Sequence, residues 1–172
     1  LEDKLKGAFA RLPRRSGSGP MGSRFEHWGS LAADEALAAP VAAALARFAV
    51  GEVPRDVMTA LLSAKLQGIP KGDGGTRVLG RGGALRRTVG RTAAKLLRDD
   101  FKKAAGHRQL GLQKDGCGRL HMLMSALVGT NKDKVVISVD LNDAYMQVRR
   151  ADVIEAIEAK VPAAAAIMRA WL

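Results

Sequence analysis

Residues 66–79 read Leu66-Gln67-Gly68-Ile69-Pro70-Lys71-Gly72-Asp73-Gly74-Gly75-Thr76-Arg77-Val78-Leu79. Two short runs with apolar residues flank a cluster of glycine and aspartate, which are the residue types that tight turns favour. This pattern predicts a β-hairpin with its turn over residues 71–75. Lys71 and Arg77 would then stand at the two ends of the turn.

The sequence on both sides of the hairpin is predicted to be mainly helical. Before it, one helix face is indicated by apolar residues at helical spacing: Leu37, Val41, Leu45 and Phe48. After it, the spacing predicts a long helix from about Ala84 to Ala105, which Gly106 ends. Two further helices are predicted at about 150–159 and 163–172. Residues 1–30 include Ser16-Gly17-Ser18-Gly19-Pro20 and are predicted to be irregular and flexible.

Most of the positive charge lies in one block of the sequence. The whole chain has a formal net charge of +11. From Lys65 to Arg108, twelve basic residues stand against three acidic ones, so the block has a net charge of +9. In the predicted long helix a basic stripe recurs every three or four positions: Arg87, Arg91, Lys95, Arg98 and Lys102. This clustering favours a polyanionic partner, most often nucleic acid, although a solvated helix face explains the stripe alone equally well.

The segment Lys134-Val135-Val136-Ile137-Ser138-Val139-Asp140 is the best predicted strand and ends in an acid. A carboxylate at the end of a buried strand is held in place, and Mg²⁺ prefers such oxygens. Asp140 is therefore a candidate metal ligand. The alternative is an aspartate that caps the following helix. Tyr145 would lie just past the turn, where its ring could form one wall of a substrate pocket.

Several of these segments resemble reverse transcriptases. Asp140-Leu141-Asn142-Asp143-Ala144-Tyr145 is similar to the first palm motif of that family, an aspartate followed five positions later by an aromatic residue. Residues 69–79 resemble the fingers hairpin, in which a lysine precedes a glycine turn and an arginine begins the return strand. Leu85-Arg86-Arg87 and Gln109-Leu110-Gly111-Leu112 resemble the two blocks that follow. Residues 20–27 resemble, more loosely, the lead-in of non-LTR retrotransposon polymerases.

The resemblance implies an RNA-directed DNA polymerase that transfers nucleotides by a two-metal mechanism. It implies that Asp140 is catalytic and binds Mg²⁺, with the carbonyl of Leu141 as a further ligand. It also implies that Lys71 and Arg77 neutralise the incoming deoxynucleoside triphosphate, and that Tyr145 stacks under its sugar. The residues that would bind RNA template and DNA primer are Arg86, Arg87, Arg91, Lys95, Arg98, Lys102 and Gln109.

The expected fold is therefore α+β: the helix-rich fingers and partial palm of such a polymerase, with a short β-hairpin and one palm strand. The expected regions are a flexible lead-in at 1–30, a fingers-like region with the basic helix at 31–133, and a partial palm at 134–172. The family's later aromatic-x-Asp-Asp block has no match, because Asp99-Asp100 lacks the aromatic residue and precedes Asp140. The chain is expected to be a fragment that is inactive alone.

Two other functions stay open. The chain could be a non-catalytic, basic nucleic-acid-binding module derived from a decayed retroelement. It could also be an unrelated basic helical protein whose motif matches are chance. Substitutions of Asp140 and of the basic stripe separate these hypotheses, because only the polymerase requires the carboxylate.

Composition adds weaker constraints. The single cysteine, Cys117, excludes an internal disulfide and fits a reducing, intracellular compartment, the nucleus among them. No apolar run approaches the roughly 20 residues that a membrane-spanning helix needs, so no membrane partner is expected. Oligomeric state is left open.

Overall fold

The computed structural model of the chain describes residues 1–9, 11–13, 15–130, 133, 135–141 and 144–172. These residues form a helix-rich fold with a small two-stranded antiparallel sheet, which confirms the predicted α+β class. They divide into two compact units, the first formed by Leu1–Leu96 with Ala166–Leu172 and the second by Leu97–Ala165.

The helices and strands follow one another along the chain in a simple order. In that order they are α1 (Glu2–Phe9), α2 (Phe25–Ala33), α3 (Glu35–Ala49), α4 (Arg55–Leu62), β1 (Ala64–Pro70), β2 (Thr76–Gly82), α5 (Ala84–Leu96), α6 (Arg98–Ala105), α7 (Gly116–Thr130), α8 (Ala144–Gln147), α9 (Arg150–Lys160) and α10 (Ala165–Trp171). Short 3₁₀ turns occur at Leu110–Leu112 and Pro162–Ala164.

The core of the first unit forms where α1, α3 and α5 pack together. Its fully buried residues recur at helical spacing on the inner face of each helix: Leu5, Phe9, Ala42, Leu45, Phe48, Ala49, Leu85 and Val89. Ala42 and Ala49 of α3 are completely buried in this core. The rings of Phe48 and Trp171 pack with their centroids 5.4 Å apart, which attaches α10 to this core.

Two threonines on the buried face of α5 are satisfied within the helix. The Thr88 hydroxyl donates to the Ala84 carbonyl and the Thr92 hydroxyl to the Thr88 carbonyl, both at 2.9 Å. Because neither hydroxyl is left without a partner, both threonines can be buried without a large desolvation cost. The inner face of α5 packs against the core, and the basic residues of α5 lie on its remaining surface.

The predicted hairpin is confirmed. Strands β1 and β2 pair antiparallel in a register that places Ala64 opposite Gly82 and Pro70 opposite Thr76. Only the end of β2 is buried, and the rest of the hairpin is exposed or nearly so. Gly82 leads almost directly into α5, so the core helix anchors the base of an otherwise exposed hairpin.

The irregular structure predicted for residues 1–30 is wrong over two segments. Glu2–Phe9 forms α1 and Phe25–Ala33 forms α2. Leu5, Phe9 and Phe25 are buried, so these short helices are stabilised by burial of one apolar face. The prediction of irregular structure was based on the glycine-rich sequence between the two helices, and it gave too little weight to these few apolar residues.

The single long helix predicted at 84–105 is also wrong, because it is interrupted at Leu97. The backbone of Leu97, at φ −92° and ψ 2°, lies outside the helical region, and α6 starts at the next residue. The charges suit this break: Lys95 lies in the last turn of α5, whereas Asp99 and Asp100 lie in the first turn of α6. Gly106, with φ 73°, ends α6 as predicted.

The palm strand predicted at 134–140 is wrong for residues 135–140, which form neither helix nor strand; Lys134 lies outside the described residues. A strand is stabilised by pairing, and no described segment pairs with these residues. The side chains of Val135, Ile137 and Val139 are 84, 79 and 76% exposed. Asp140 therefore lies on an exposed segment of the second unit and not at the end of a buried strand.

Candidate nucleic-acid interface

The hairpin turn brings Lys71 and Arg77 together, as the sequence predicted. The Lys71 amide donates to the Gly75 carbonyl at 2.7 Å, and the Gly74 amide donates to the Lys71 carbonyl at 3.2 Å. Asp73 Oδ1 accepts from the Gly75 amide at 3.0 Å. Gly74 has φ +82°, a conformation that strains other residues. Lys71, Asp73 and Arg77 line one concavity of about 560 Å³ at the tip.

The two faces of the hairpin differ in charge. Side chains alternate between faces along a strand, so the register places Lys65 opposite Arg81, and Ile69 opposite Arg77, on the same face. The other face carries small and apolar residues, including Leu66 and Val78. Like charges directly opposite each other destabilise a sheet. A bound anion would offset the repulsion between Lys65 and Arg81.

A groove of about 660 Å³ lies between the base of the hairpin and α5. Four arginines line it: Arg81, Arg86, Arg87 and Arg91. We call this the arginine groove. Its lining also includes Gly80, Gly82, Gly90 and Trp171, and none of the described residues that line it is acidic. Arg86, Arg87 and Arg91 were predicted to bind nucleic acid, and the structure brings these three together.

Neutral acceptors hold three of these guanidinium groups. Arg86 donates to the Leu62 carbonyl and Arg81 to the side-chain carbonyl of Gln67. Arg87 Nη2 donates to the Gly17 carbonyl at 2.7 Å. Among the described residues, none of the four arginines has a carboxylate at ion-pair distance. The groove therefore keeps its full positive charge while the positions of its side chains are fixed.

Arg87 shows the electrostatic cost of this arrangement. Burial lowers the pKa of Arg87 from its ordinary value, and the neighbouring Arg91 and Arg81 lower the pKa further. The Phe25 ring offsets part of the cost, since Arg87 Cζ lies 4.4 Å and Arg91 Cζ 5.6 Å from the ring centroid. Cations over an aromatic face are attracted by its quadrupole.

The loop before α2 forms part of this site, although the sequence predicted it to be flexible. A Cβ added at Gly17 would lie 2.4 Å from Arg81 Nη1, and one at Gly19 would lie 2.5 Å from Gly83 Cα. Gly19 therefore allows a backbone approach that a side chain would prevent, whereas a side chain at Gly17 would require the flexible end of Arg81 to shift. The signal was present in Ser16-Gly17-Ser18-Gly19, but sequence reasoning assigned the glycines to flexibility and not to close packing.

A second groove, of about 650 Å³, lies between α1 and α5. Its charged lining residues are Asp3, Lys4, Arg11, Arg91 and Lys95. Arg91 and Lys95 were predicted to bind nucleic acid, whereas Lys4 and Arg11 were missed because residues 1–30 were predicted to be irregular. Arg91 lines both grooves, so the positive surface continues across α5.

The other predicted nucleic-acid contacts lie in the second unit. Arg98 is exposed and Lys102 is half-buried, both on α6. Gln109 uses its side-chain carbonyl to accept from the Gly111 amide at 3.0 Å and caps a 3₁₀ turn. This local hydrogen bond gives Gln109 a structural role in the unit.

The predicted metal site is incomplete in the described part of the chain. Asp140 and Leu141 are adjacent and exposed, and the Tyr145 side chain lies outside what the structure describes. Among the described residues, no group of three or more acidic, histidine or cysteine side chains could hold a metal ion. Asp140 alone does not provide the carboxylate set that Mg²⁺ requires in a two-metal site, so the described residues support no metal-dependent step.

Comparison with known proteins gives no family for this chain. The sequence matches no model of a known protein family, and no curated protein matches it significantly. Within the described residues, no helix has the length and apolar character needed to span a membrane.

Proposed function

We propose that this chain is a fingers-type fragment of an RNA-directed DNA polymerase, in which the first unit binds nucleic-acid and nucleotide phosphates. The supporting observation is the exposed hairpin, whose tip gathers Lys71 and Arg77 and whose base adjoins the arginine groove. A two-stranded hairpin is marginally stable alone. Its exposure, together with its positive charge, suits a surface that is covered when a polyanion binds.

The reaction proposed for the complete enzyme is template-directed transfer of a deoxynucleotide to a primer end. Lys71 and Arg77 would bind the triphosphate, and the cations of α5 would bind the template or primer backbone. Mg²⁺ would be held by Asp140 and the Leu141 carbonyl, together with carboxylates that the family's later palm block supplies. Tyr145 would contact the sugar. These 172 residues are therefore expected not to polymerise alone.

A salt-dependence experiment tests the binding part of this proposal. Single-stranded RNA and DNA oligonucleotides are titrated with an α5 variant, Arg91→Gln/Lys95→Gln, and with a control, Lys114→Gln/Arg119→Gln. The control removes two exposed charges from the second unit. The slope of log K against log salt should shrink by about 1.4 in the α5 variant, roughly 0.7 for each lost phosphate contact. Equal slopes in both variants would contradict the proposal.

Nucleotide binding distinguishes the polymerase fragment from its alternative, a non-catalytic nucleic-acid-binding module. A photoreactive deoxynucleoside triphosphate should label the hairpin tip of the polymerase fragment, and the label should fall in the Lys71→Gln/Arg77→Gln variant. The module would bind oligonucleotides without labelling by the nucleotide. The observation that favours the module is that both grooves belong to the first unit, whereas Asp140 belongs to the second.

Primer extension tests the expected inactivity of the chain. The full 172-residue chain is incubated with an RNA template, a DNA primer, deoxynucleoside triphosphates and Mg²⁺. We expect no incorporation, and Asp140→Asn should leave oligonucleotide affinity unchanged. Template-dependent incorporation by this chain would overturn the expectation, because it would show that these residues contain a complete site.

A further inference from the structure

The arginine groove has the charge and size of a site for more than one anionic group. Its four arginines face no carboxylate among the described residues, and its volume is about 660 Å³. Ligand pockets commonly measure about 300–1,000 Å³. A single carboxylate would neutralise only a quarter of the four charges and fill little of that volume. A ligand with several linked phosphates matches both the charge and the volume of the groove better.

The arginines are held in place before any ligand binds. Leu62, Gln67 and Gly17 each supply a neutral acceptor to one guanidinium group. Each guanidinium has five N–H donors, so these hydrogen bonds leave most donors free for a ligand. Prior positioning lowers the entropy cost of binding, and arginine donors match the geometry of phosphate oxygens.

The walls of the groove leave room for such a ligand. Gly80, Gly82 and Gly90 contribute no side chain to the lining. At Gly90, an added Cβ would lie 3.2 Å from Cζ3 of Trp171, so the indole ring packs directly on the backbone of α5. The ring is thereby fixed at one wall, where its fluorescence can report on the groove.

Two buried N–H donors belong to residues of this lining. Trp171 Nε1 and Arg87 Nε are buried and have no hydrogen-bond partner among the described residues. Buried donors without partners cost free energy, and native proteins contain few of them. Both residues line the arginine groove, and the positive charge of its four arginines is the observation that points to an anion.

We propose that the arginine groove is a phosphate-binding site, separate from the hairpin tip, that takes a ligand with several linked phosphates. The ligand is the backbone of a single-stranded nucleic acid or a free polyphosphate such as a nucleoside triphosphate. If nucleic acid supplies the phosphates, this proposal rests on the proposed function and adds Arg81 and Trp171 to the residues that bind it. Phosphate binding itself does not depend on polymerase activity.

The test uses the full chain and the fluorescence of Trp171. The chain has two tryptophans, so Trp28→Phe leaves Trp171 as the single indole reporter. Inorganic triphosphate and an oligonucleotide without terminal phosphates are titrated separately. The groove variant is Arg81→Gln/Arg91→Gln, and the control Arg108→Gln/Arg119→Gln removes the same charge from exposed positions of the second unit.

Triphosphate should change the emission of Trp171, and its affinity should fall at least about ten-fold in the groove variant. The control should change the affinity less than about two-fold, since exposed charges are screened by salt. If the oligonucleotide competes with triphosphate and loses affinity in the same variant, the nucleic-acid backbone is the ligand. If only triphosphate depends on the groove, the source is a free polyphosphate, and the proposal stands while nucleic-acid binding is assigned elsewhere.

Absence of triphosphate binding, or equal losses in the groove variant and the control, would overturn the proposal. A second measurement avoids dependence on folding of the variant. An arginine-specific dicarbonyl reagent is applied to the unmodified chain, and modified residues are identified by mass spectrometry. Triphosphate should protect Arg81 and Arg91 but not Arg108 or Arg119. Unprotected groove arginines would also overturn it. The Lys71→Gln/Arg77→Gln experiment remains an independent test of the proposed function, because it leaves this groove intact.

Discussion

Two segments of the molecule contain β-branched residues at exposed positions, but only one of them forms β-strands. β1 and β2 pair with each other across the turn at 71–75. Residues 135–141 lie in the second unit and pair with no described segment. Each strand of the hairpin has a pairing partner close in sequence, and β2 leads into a core helix. Residues 135–141 have no pairing partner among the described residues. Pairing and anchorage, more than local residue preference, decide which segment becomes a strand.

The largest expected effect is a difference in the free energy of unfolding between a substitution in the core of the first unit and one in the exposed segment 135–141. Phe48→Ala should lower the free energy of unfolding by about 3–5 kcal/mol, because it leaves a cavity against Trp171 and the other core residues. Ile137→Ala, at a side chain that is 79% exposed, should change it by less than about 0.5 kcal/mol. Denaturant unfolding followed by circular dichroism measures both. Similar losses would show that residues 135–141 are packed in solution.

Hydrogen exchange tests the difference between the segments directly. Ladder amides of β1 and β2 should exchange at least about 100-fold more slowly than those of residues 135–140, because opening the hairpin must break several paired bonds. Mass spectrometry or NMR on the full chain resolves the two segments. Comparable rates would mean that attachment to α5 does not stabilise the hairpin.

A glycine pair tests whether the loop before α2 is packed on the hairpin base. Gly19→Ala places a Cβ 2.5 Å from Gly83 Cα and should destabilise the chain by about 1–3 kcal/mol. Gly7→Ala, on α1, meets nothing within 4 Å and should stabilise it by about 0.5–1 kcal/mol. Thermal unfolding of both variants gives the sign. A neutral Gly19→Ala would show that the loop lies away from β2.

The smallest expected effect depends on pH. The backbone amide of Glu26 itself and that of Arg15 donate to the Glu26 carboxylate and lower its pKa from the usual 4.5. Because the folded-state pKa is lowered, the stabilisation is present above about pH 4.5 and is lost as pH falls through the lower folded-state value. Glu26→Gln should therefore reduce the melting temperature slightly at pH 7 and not at pH 2. A pH-independent difference would exclude the carboxylate as its cause.

The parts of the fold that the sequence predicted are those set by local pattern. The turn residues at 71–75 predicted the hairpin, and Gly106 predicted the end of α6. Helical spacing identified Leu45 and Phe48 as core residues, whereas Leu37 on the same predicted face is exposed. Helix α1 was missed because its contribution to the core depends on packing with α3 and α5. The break at Leu97 was missed because neither glycine nor proline marks it.

The sequence predicted that basic residues form the candidate site, but it did not predict which other residues line the site. Lys71 and Arg77 share the hairpin tip, and Arg86, Arg87 and Arg91 share one groove, as a basic cluster suggested. Trp171 lies far along the chain from the other lining residues, and no local pattern could place it there. Lys4 and Arg11 line the second groove, and they were missed because residues 1–30 were predicted to be irregular. Sequence spacing gives the face of one helix, whereas a groove requires the tertiary arrangement of several elements.

The hydrogen bond between Arg87 and Gly17 joins residues 70 positions apart. Contacts of such long range form only after a large loop of chain has closed, and the entropy of closure must be overcome first. An unfolded chain keeps its net charge of +11 and would attract polyanions without selectivity. Thermal unfolding should therefore abolish saturable triphosphate binding while leaving charge-driven association with nucleic acid at low salt.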